Sequence, residues 1–251
     1  MDTAAAPFSS IRAYLLEARY EFLRLLRTPS FSLPALSFPP VFYLLFGVLL
    51  GGKGGPVAAQ YMLAGYGVFG VIGVALFGFG VTVAMDREQG LLTLKRAQPM
   101  PPGAYLVAKM AMALLFAAII LLLLAAIAAG VAQVQLSAAQ WAGWAATCLL
   151  GVLPFSALGL WLGTRVGGRG APALINLVYL PMAFLSGLWV PLTMLPRLLQ
   201  TLAPAWPAYH LAQVAQKVVG LDAGRPLLLH VAVLAGMTIV FFLLARRRLV
   251  R

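Results

Sequence analysis

The sequence predicts an all-α protein that crosses a membrane six times. The chain is 62% hydrophobic and only 10% charged, whereas an average soluble domain has about 25% charged residues. Uncharged runs of 20 to 55 residues recur along it, and about 20 apolar residues suffice for one helical span. The short alternating segments typical of a β-barrel are absent from the sequence. Helices are therefore the expected form in which the chain crosses lipid.

The first element, within residues 1–32, is predicted to be an interfacial amphipathic helix. Its apolar side chains, among them Ile11 and Leu15, share one helical face. Such a helix lies along the membrane with its basic residues among the headgroups. The alternative is an ordinary amphipathic helix packed on a protein neighbour. The basic residues off the apolar face are Arg12, Arg19, Arg24 and Arg27.

A single domain of six spans is predicted over residues 33–251. The fifth and sixth spans are joined by an apolar segment, Pro191–Gln216, which four prolines interrupt. Short re-entrant helices on the outer side are predicted there, because the segment is too apolar for a free loop. Gly159 and Gly163 form a GxxxG pair, which indicates close helix packing. The predicted spans are Leu33–Gly51, Tyr61–Met85, Tyr105–Val131, Trp141–Leu162, Ala171–Trp189 and Pro226–Ala245.

The distribution of basic residues predicts that both termini are cytoplasmic. With the N-terminus inside, fourteen Lys and Arg residues fall on the cytoplasmic side and four on the outer side. Basic residues accumulate in cytoplasmic loops and there meet anionic headgroups. The formal net charge of +12 is therefore attributed to membrane lipids as partners and not to nucleic acid.

The sequence offers no assembled catalytic or metal site. The predicted spans carry no Asp, Glu, Lys or Arg away from their ends, whereas ion-coupled carriers normally need buried ionisable groups. His210 and His230 are far apart in the sequence, so no metal ligands are predicted. We expect His230 at the membrane interface and His210 at the surface or in packing. The single cysteine, Cys148, is expected to pack in the core.

A partial nucleotide-binding motif ends the first span. Gly47–Lys53 reads GVLLGGK and is followed by Gly54. A phosphate-binding loop needs Ser or Thr there to supply a hydroxyl for magnesium. The chain is therefore predicted to bind no cofactor directly and to have no ATPase activity of its own.

The segment Met85–Lys109 gathers six of the 24 charged side chains. It predicts a short amphipathic helix parallel to the membrane, with charges flanking an apolar ridge. Such a helix suits insertion into a groove on a cytosolic partner. A solvated loop is the alternative, but it explains neither the acidic residues nor the leucines. The candidate docking residues are Asp86, Arg87, Glu88, Gly90, Leu91, Leu92, Thr93, Leu94, Lys95 and Arg96.

This segment resembles the motif that follows span two in type-2 ABC exporter permeases. That motif has an acid–Arg–Glu triplet, a glycine, a short apolar stretch, a proline turn and a lysine that opens span three. Lys95 departs from it, because an acid often stands there, and so does the order Leu92-Thr93. Further resemblances follow in order along the chain. The matching stretches are Asp86–Glu88, Gly90–Leu94, Pro99–Pro102, Lys109, RTPS (Arg27–Ser30), FLSGLWVPLTMLP (Phe184–Pro196) and PAWPAYH before span six.

The resemblance implies the permease subunit of an ATP-driven exporter in a bacterial inner membrane, most like compact drug- and antibiotic-export permeases. It implies two separate ABC ATPase subunits that use ATP and magnesium, and a second permease subunit, as a homodimer or heterodimer. An uncharged wall suits amphipathic drugs, antibiotics, lipids or lipid-linked glycans. A secondary carrier or channel, or a non-transporting membrane anchor, is the alternative. Aromatics that would meet the substrate, or equally face lipid, are Tyr66, Phe69, Phe77, Tyr179 and Phe184.

Overall fold

The computed structural model describes residues 10–49, 55–98, 101, 103–221 and 224–249, without the side chains of residues 96 and 249. This described part is helical, and it contains no strand. The prediction of an all-α protein is confirmed. Its helices are α1 (Ser10–Leu26), α2 (Pro29–Phe42), α3 (Gly55–Leu76), α4 (Thr82–Glu88), α5 (Leu91–Ala97), α6 (Ala104–Gly130), α7 (Ala138–Leu150), α8 (Val152–Gly163), α9 (Ala171–Leu185), α10 (Arg197–Leu202), α11 (Pro207–Val218) and α12 (Leu227–Leu249).

Several of these helices join into longer ones. A π-helical segment, Tyr43–Leu49, continues α2, and a second one, Phe77–Val81, links α3 to α4. Five of the resulting helices among the described residues are long and apolar enough to cross a membrane. They cover residues 29–49, 55–88, 104–130, 138–163 and 227–248. The chain is thus a multi-pass membrane protein.

The fifth predicted span, Ala171–Trp189, is shorter in the structure. Helix α9 has 15 residues, fewer than the roughly 20 needed for an unaided crossing. It ends because Gly187 adopts a φ of 75°. The N–H of Leu188 then reaches back to the carbonyl of Ala183, at 3.1 Å. This is the hydrogen-bond pattern of a glycine-terminated helix.

A turn separates the third predicted span from the fourth. Helix α6 ends at Gly130, and Ser137 caps the next helix. The Ser137 side chain accepts from the Gln140 N–H, while the Gln140 side chain accepts from the Ser137 N–H. This reciprocal pair satisfies two N–H groups at the start of α7. Helices α7 and α8 then form one continuous span.

Helix α3 lies at the centre of the bundle, and small residues let its neighbours approach closely. A β-carbon on Gly163 of α8 would lie 2.5 Å from the carbonyl oxygen of Gly80. One on Gly159 would lie 3.1 Å from the carbonyl oxygens of Ala75 and Leu76. The GxxxG pair therefore packs within the chain, against the end of α3 and the π-helical segment that follows it.

Short helices connect α9 to α12, as the prolines indicated. They are a 3₁₀ turn at Leu192–Met194, α10, a second 3₁₀ turn at Ala203–Ala205, and α11. Every residue of α11 from Ala208 to Gln216 is buried. This connection is therefore a packed part of the fold and not a free loop.

Candidate functional site

The candidate site begins where the long α3–α4 helix ends at Glu88. Gly90, with a φ of 73°, turns the chain into α5. The Gly90 carbonyl accepts from the N–H groups of Thr93 and Leu94, at 3.0 and 3.2 Å. The short helix expected after Gly90 is therefore present. Of the prolines that follow α5, Pro99 and Pro102 lie outside the described residues. We call this region the α5 end of the bundle.

Four charged residues form a buried ion cluster beside α5. They are Glu21 and Arg24 of α1, Asp86 of α4 and Lys109 of α6. The Lys109 ammonium lies 2.7 Å from a Glu21 carboxylate oxygen and 3.0 Å from one of Asp86. The Arg24 guanidinium lies 2.9 Å from Asp86 and 2.8 Å from Glu21. Each cation thus contacts both carboxylates.

Neutral hydroxyls complete the coordination of the ion cluster. The Tyr105 hydroxyl donates to Asp86 Oδ2 at 2.8 Å. Lys109 Nζ donates to Thr82 Oγ1 at 2.6 Å. Buried charges are tolerated when they are paired and their remaining hydrogen-bonding positions are filled. The pairs and hydrogen bonds of this cluster come from three helices, α1, α4 and α6.

Because the cluster is largely buried, each charged group in it depends on its partners for compensation. Lys109 has no exposed surface, and Asp86 and Glu21 are 3% and 5% exposed. Only Arg24 reaches water, with 39% of its side chain exposed. Burial opposes the charge of Arg24, but the hydrogen bond to Asp86 and the two nearby carboxylates raise its pKa above the ordinary value. Arg24 therefore stays charged and belongs to the cluster, and headgroups are not its main partners.

Asp86, one of the candidate docking residues, is buried. Its carboxylate points into the bundle, where it pairs with Arg24 and Lys109 and accepts a hydrogen bond from Tyr105. No sequence pattern singles out Glu21, which lies 88 residues from its partner Lys109. The one available signal was physical: a lysine five residues into an apolar helix needs an acidic partner.

Helix α5 is tied to α1 as well. Lys95 forms an ion pair with Glu17. Its ammonium also lies 5.2 Å from the Tyr105 ring centre, within cation–π range. Burial, and next the nearby charge of Lys109, lower the pKa of Lys95. Thr93 and Leu94 are exposed, and Leu91 and Leu92 are half-buried. The Arg96 side chain lies outside the described residues.

The next two residues of α4, Arg87 and Glu88, contact the end of α8 and the loop between α8 and α9. Arg87 donates to the Gly163 carbonyl at 3.2 Å. The Glu88 carboxylate accepts from the Gly168 N–H and lies 3.9 Å from Arg169 Nε. With 44% of its side chain exposed, Glu88 remains accessible. Asp86, Arg87 and Glu88 are adjacent in sequence but contact three different parts of the fold: the ion cluster, the end of α8 and the loop that follows α8.

The five predicted substrate aromatics lie in one cluster. Phe69 and Tyr179 stack with ring centres 4.9 Å apart, and the Tyr179 hydroxyl donates to the Phe69 carbonyl at 2.9 Å. Phe77 meets Tyr179 at 6.0 Å, and Tyr66 meets Phe69 at 6.2 Å. Phe184 joins through Trp189, which is not one of the five predicted substrate aromatics.

The members of this aromatic cluster differ in how far they are buried. Tyr66, Phe69 and Tyr179 are at most 7% exposed, so they do not face lipid. Phe184 is 37% exposed, and Phe77 is half-buried. The cluster is thus an internal wall with one accessible edge.

The two histidines contact each other, contrary to the sequence-based expectation. Their Nδ1 atoms are 2.9 Å apart, and His210 Nε2 lies 2.9 Å from the Pro204 carbonyl. Both are buried, at 5% and 0% exposure. Because the chain turns after α11 and α12 packs against α11, a 20-residue separation becomes a contact. Within the described ranges, no three potential ligands among His, Cys, Asp and Glu lie together.

Helix α1 is packed on the bundle along one face and exposed along another. One face packs against α6 and buries Glu21 and Leu25. Ile11 and Leu15 remain 74% and 66% exposed. The helix therefore has a protein neighbour on one side and a free apolar stripe on another. The basic residues Arg12, Arg19 and Arg27 are also exposed.

Comparison with known proteins gives two matches. The model of the ABC-2 type transporter family matches residues 13–219. A protein of Bacillus subtilis (strain 168) assigned by name as a transport permease, YvfS, is 27% identical over 228 residues. That match covers 90% of this chain and 92% of the Bacillus protein. The similarity thus extends over nearly the full length of both.

Proposed function

The chain belongs to the ABC-2 type transporter family, and from this membership we propose that it is the permease subunit of an ATP-driven exporter. Its partners would be two ABC ATPase subunits, which use ATP and magnesium, and a second copy of the permease. The observation that carries the proposal is α5: a short helix with exposed Leu94, held at the tip of a long internal helix.

The proposed coupling follows from the contacts of α5. The Lys95–Glu17 pair ties it to α1. The ion cluster ties α1 to α4 and α6. A push on α5 by a closing ATPase would therefore reach three helices together. We place the docking surface on Thr93, Leu94 and Glu88, because the Asp86 carboxylate is already hydrogen-bonded to Arg24 and Tyr105 inside the bundle.

The proposed topology keeps six crossings, with α9 as a short fifth one. The excess of basic residues on one side supports an orientation with both termini in the cytoplasm and α10 and α11 outside. The membrane would be the bacterial inner membrane. The aromatic cluster at α3 and α9 supports an amphipathic or lipid-linked substrate, such as a drug, antibiotic, lipid or glycan.

Replacing Leu94 with aspartate tests the docking surface. We expect the variant to retain about 30-fold less ATPase subunit during purification, because losing a central apolar contact typically costs about 2 kcal/mol or more. Substrate-stimulated ATP hydrolysis of the reconstituted complex should fall in parallel. Leu198→Asp, at a 70% exposed leucine of α10, is the matched control and should change neither quantity. Equal retention and hydrolysis in Leu94→Asp would rule out docking at α5.

Cysteine labelling tests the proposed orientation. Cys148 is fully buried, and Cys148→Ser provides a cysteine-free background. A cysteine at Leu94 should react with a membrane-impermeant maleimide only after the cells are opened. One at Leu198 should react in intact cells. The reverse pattern would invert the topology and exclude a cytoplasmic ATPase at α5.

A further inference from the structure

A cavity of about 180 Å³ lies between α6, α8 and α12, away from the aromatic cluster. Its wall is made of Met110 from α6, Ala157 and Leu160 from α8, and Thr238 and Phe242 from α12, closed at its base by Phe79. A cavity of about 150 Å³ lined by apolar side chains is large enough to bind benzene.

The cavity opens sideways. Leu153 and Phe242, both in its lining, are 42% and 44% exposed. Both lie within helices long enough to span the membrane, so the opening faces hydrocarbon. Ser156 sits seven residues from the end of α8 at Gly163, about 10 Å along the helix. The cavity is therefore in the half of the membrane nearer the α5 end.

One polar group in the lining, the Ser156 hydroxyl, lacks a hydrogen-bond partner among the described residues. Ser156 is 1% exposed. Thr238, across the cavity, instead donates to the carbonyl four residues earlier, Leu234, at 2.7 Å. A buried hydroxyl without a partner is unfavourable. A ligand with one acceptor group would satisfy it.

We propose that this cavity binds the acyl chain of a membrane amphiphile, with the chain in the apolar groove and its carbonyl accepting a hydrogen bond from Ser156. The apolar lining suits hydrocarbon, the lateral opening admits it from the bilayer, and the free hydroxyl selects a chain that carries an acceptor. The inference does not rest on the proposed transport function, since it uses only this cavity and its position in the membrane.

Photo-crosslinking tests the site. The protein is reconstituted into phosphatidylethanolamine–phosphatidylglycerol vesicles containing a trace of phosphatidylglycerol with a diazirine in one acyl chain. Peptide mass spectrometry then locates the crosslinks. We expect saturable labelling of the α8 and α12 residues that line the cavity. A parallel experiment with a diazirine fatty acid distinguishes a phospholipid chain from a free single-chain amphiphile, and labelling by either supports the site.

Three variants make the test specific. Ala157→Phe fills the cavity with a benzene-sized ring, and labelling there should fall about tenfold. Ser156→Ala keeps the space but removes the donor, and should reduce labelling about fivefold. Ala146→Phe, at an exposed position of α7, should leave it unchanged. If Ala157→Phe does not fold, Leu153→Trp at the mouth replaces it.

Evenly distributed labelling would overturn the proposal. If crosslinks appear equally at lipid-facing residues such as Leu122 and Leu177, which are both 70% exposed, the chains are only those of surrounding lipid. The same conclusion follows if Ala157→Phe, or Leu153→Trp in its place, leaves the labelling of α8 and α12 at the level of the unmodified protein.

Discussion

Replacing Lys109 with methionine is expected to lower the free energy of unfolding by about 3–5 kcal/mol. The variant leaves Glu21 and Asp86, which are 5% and 3% exposed, with Arg24 as their only cationic partner in the ion cluster. Two buried carboxylates cannot both be neutralised by one guanidinium. Thermal unfolding of the purified protein in detergent, followed by tryptophan fluorescence, measures the loss.

A second variant separates charge imbalance from lost packing. Adding Glu21→Gln to Lys109→Met removes one charge of each sign and should recover part of the stability. Arg169→Met is the surface control, since Arg169 is 98% exposed and lies 3.9 Å from Glu88; no measurable change is expected there. Lys109→Met with unaltered stability, or a double variant less stable than Lys109→Met, would contradict the role of the ion cluster.

The second large effect is expected for Gly163→Ala. The added carbon would lie 2.5 Å from the carbonyl oxygen of Gly80 and 3.2 Å from its Cα. These are backbone atoms, so the clash cannot be relieved by rotating a side chain. Overpacking of this kind typically costs about 1–3 kcal/mol, and we expect a value at the upper end.

Gly236→Ala in α12 is the matched control. It is the same substitution in another spanning helix, but no atom lies within 4 Å of the added carbon. Its stability should equal or slightly exceed that of the unmodified protein, because alanine favours helix. Equal stability of Gly163→Ala and Gly236→Ala in the same unfolding assay would show that α8 can move away from Gly80 without cost.

The membrane class and most span positions could be predicted because they depend on local composition. An uncharged run of about 20 residues identifies a span wherever it occurs. The exception, Ala171–Trp189, contains its own stop signal in Gly187, since a glycine after a helix commonly adopts positive φ. Hydropathy alone extends α9 through that glycine, whereas the structure ends it at Leu185.

The contacts of the candidate site could not be predicted because they are not local. Asp86 and Arg24 are 62 residues apart in sequence, and no periodic pattern relates them. Asp86 and Glu88 also look equivalent in the sequence, although one is buried and the other is accessible. The His210–His230 pair was missed for the same reason. Its members meet only because α12 folds back against α11.

The ion cluster also bears on how the protein responds to voltage. Its two cations and two carboxylates have a formal sum of zero. Moving one elementary charge through a 100 mV membrane potential involves about 2.3 kcal/mol. When these paired charges move together, the ion cluster itself carries no net charge across the field. We therefore expect the ion cluster to add no gating charge when this end of the bundle rearranges.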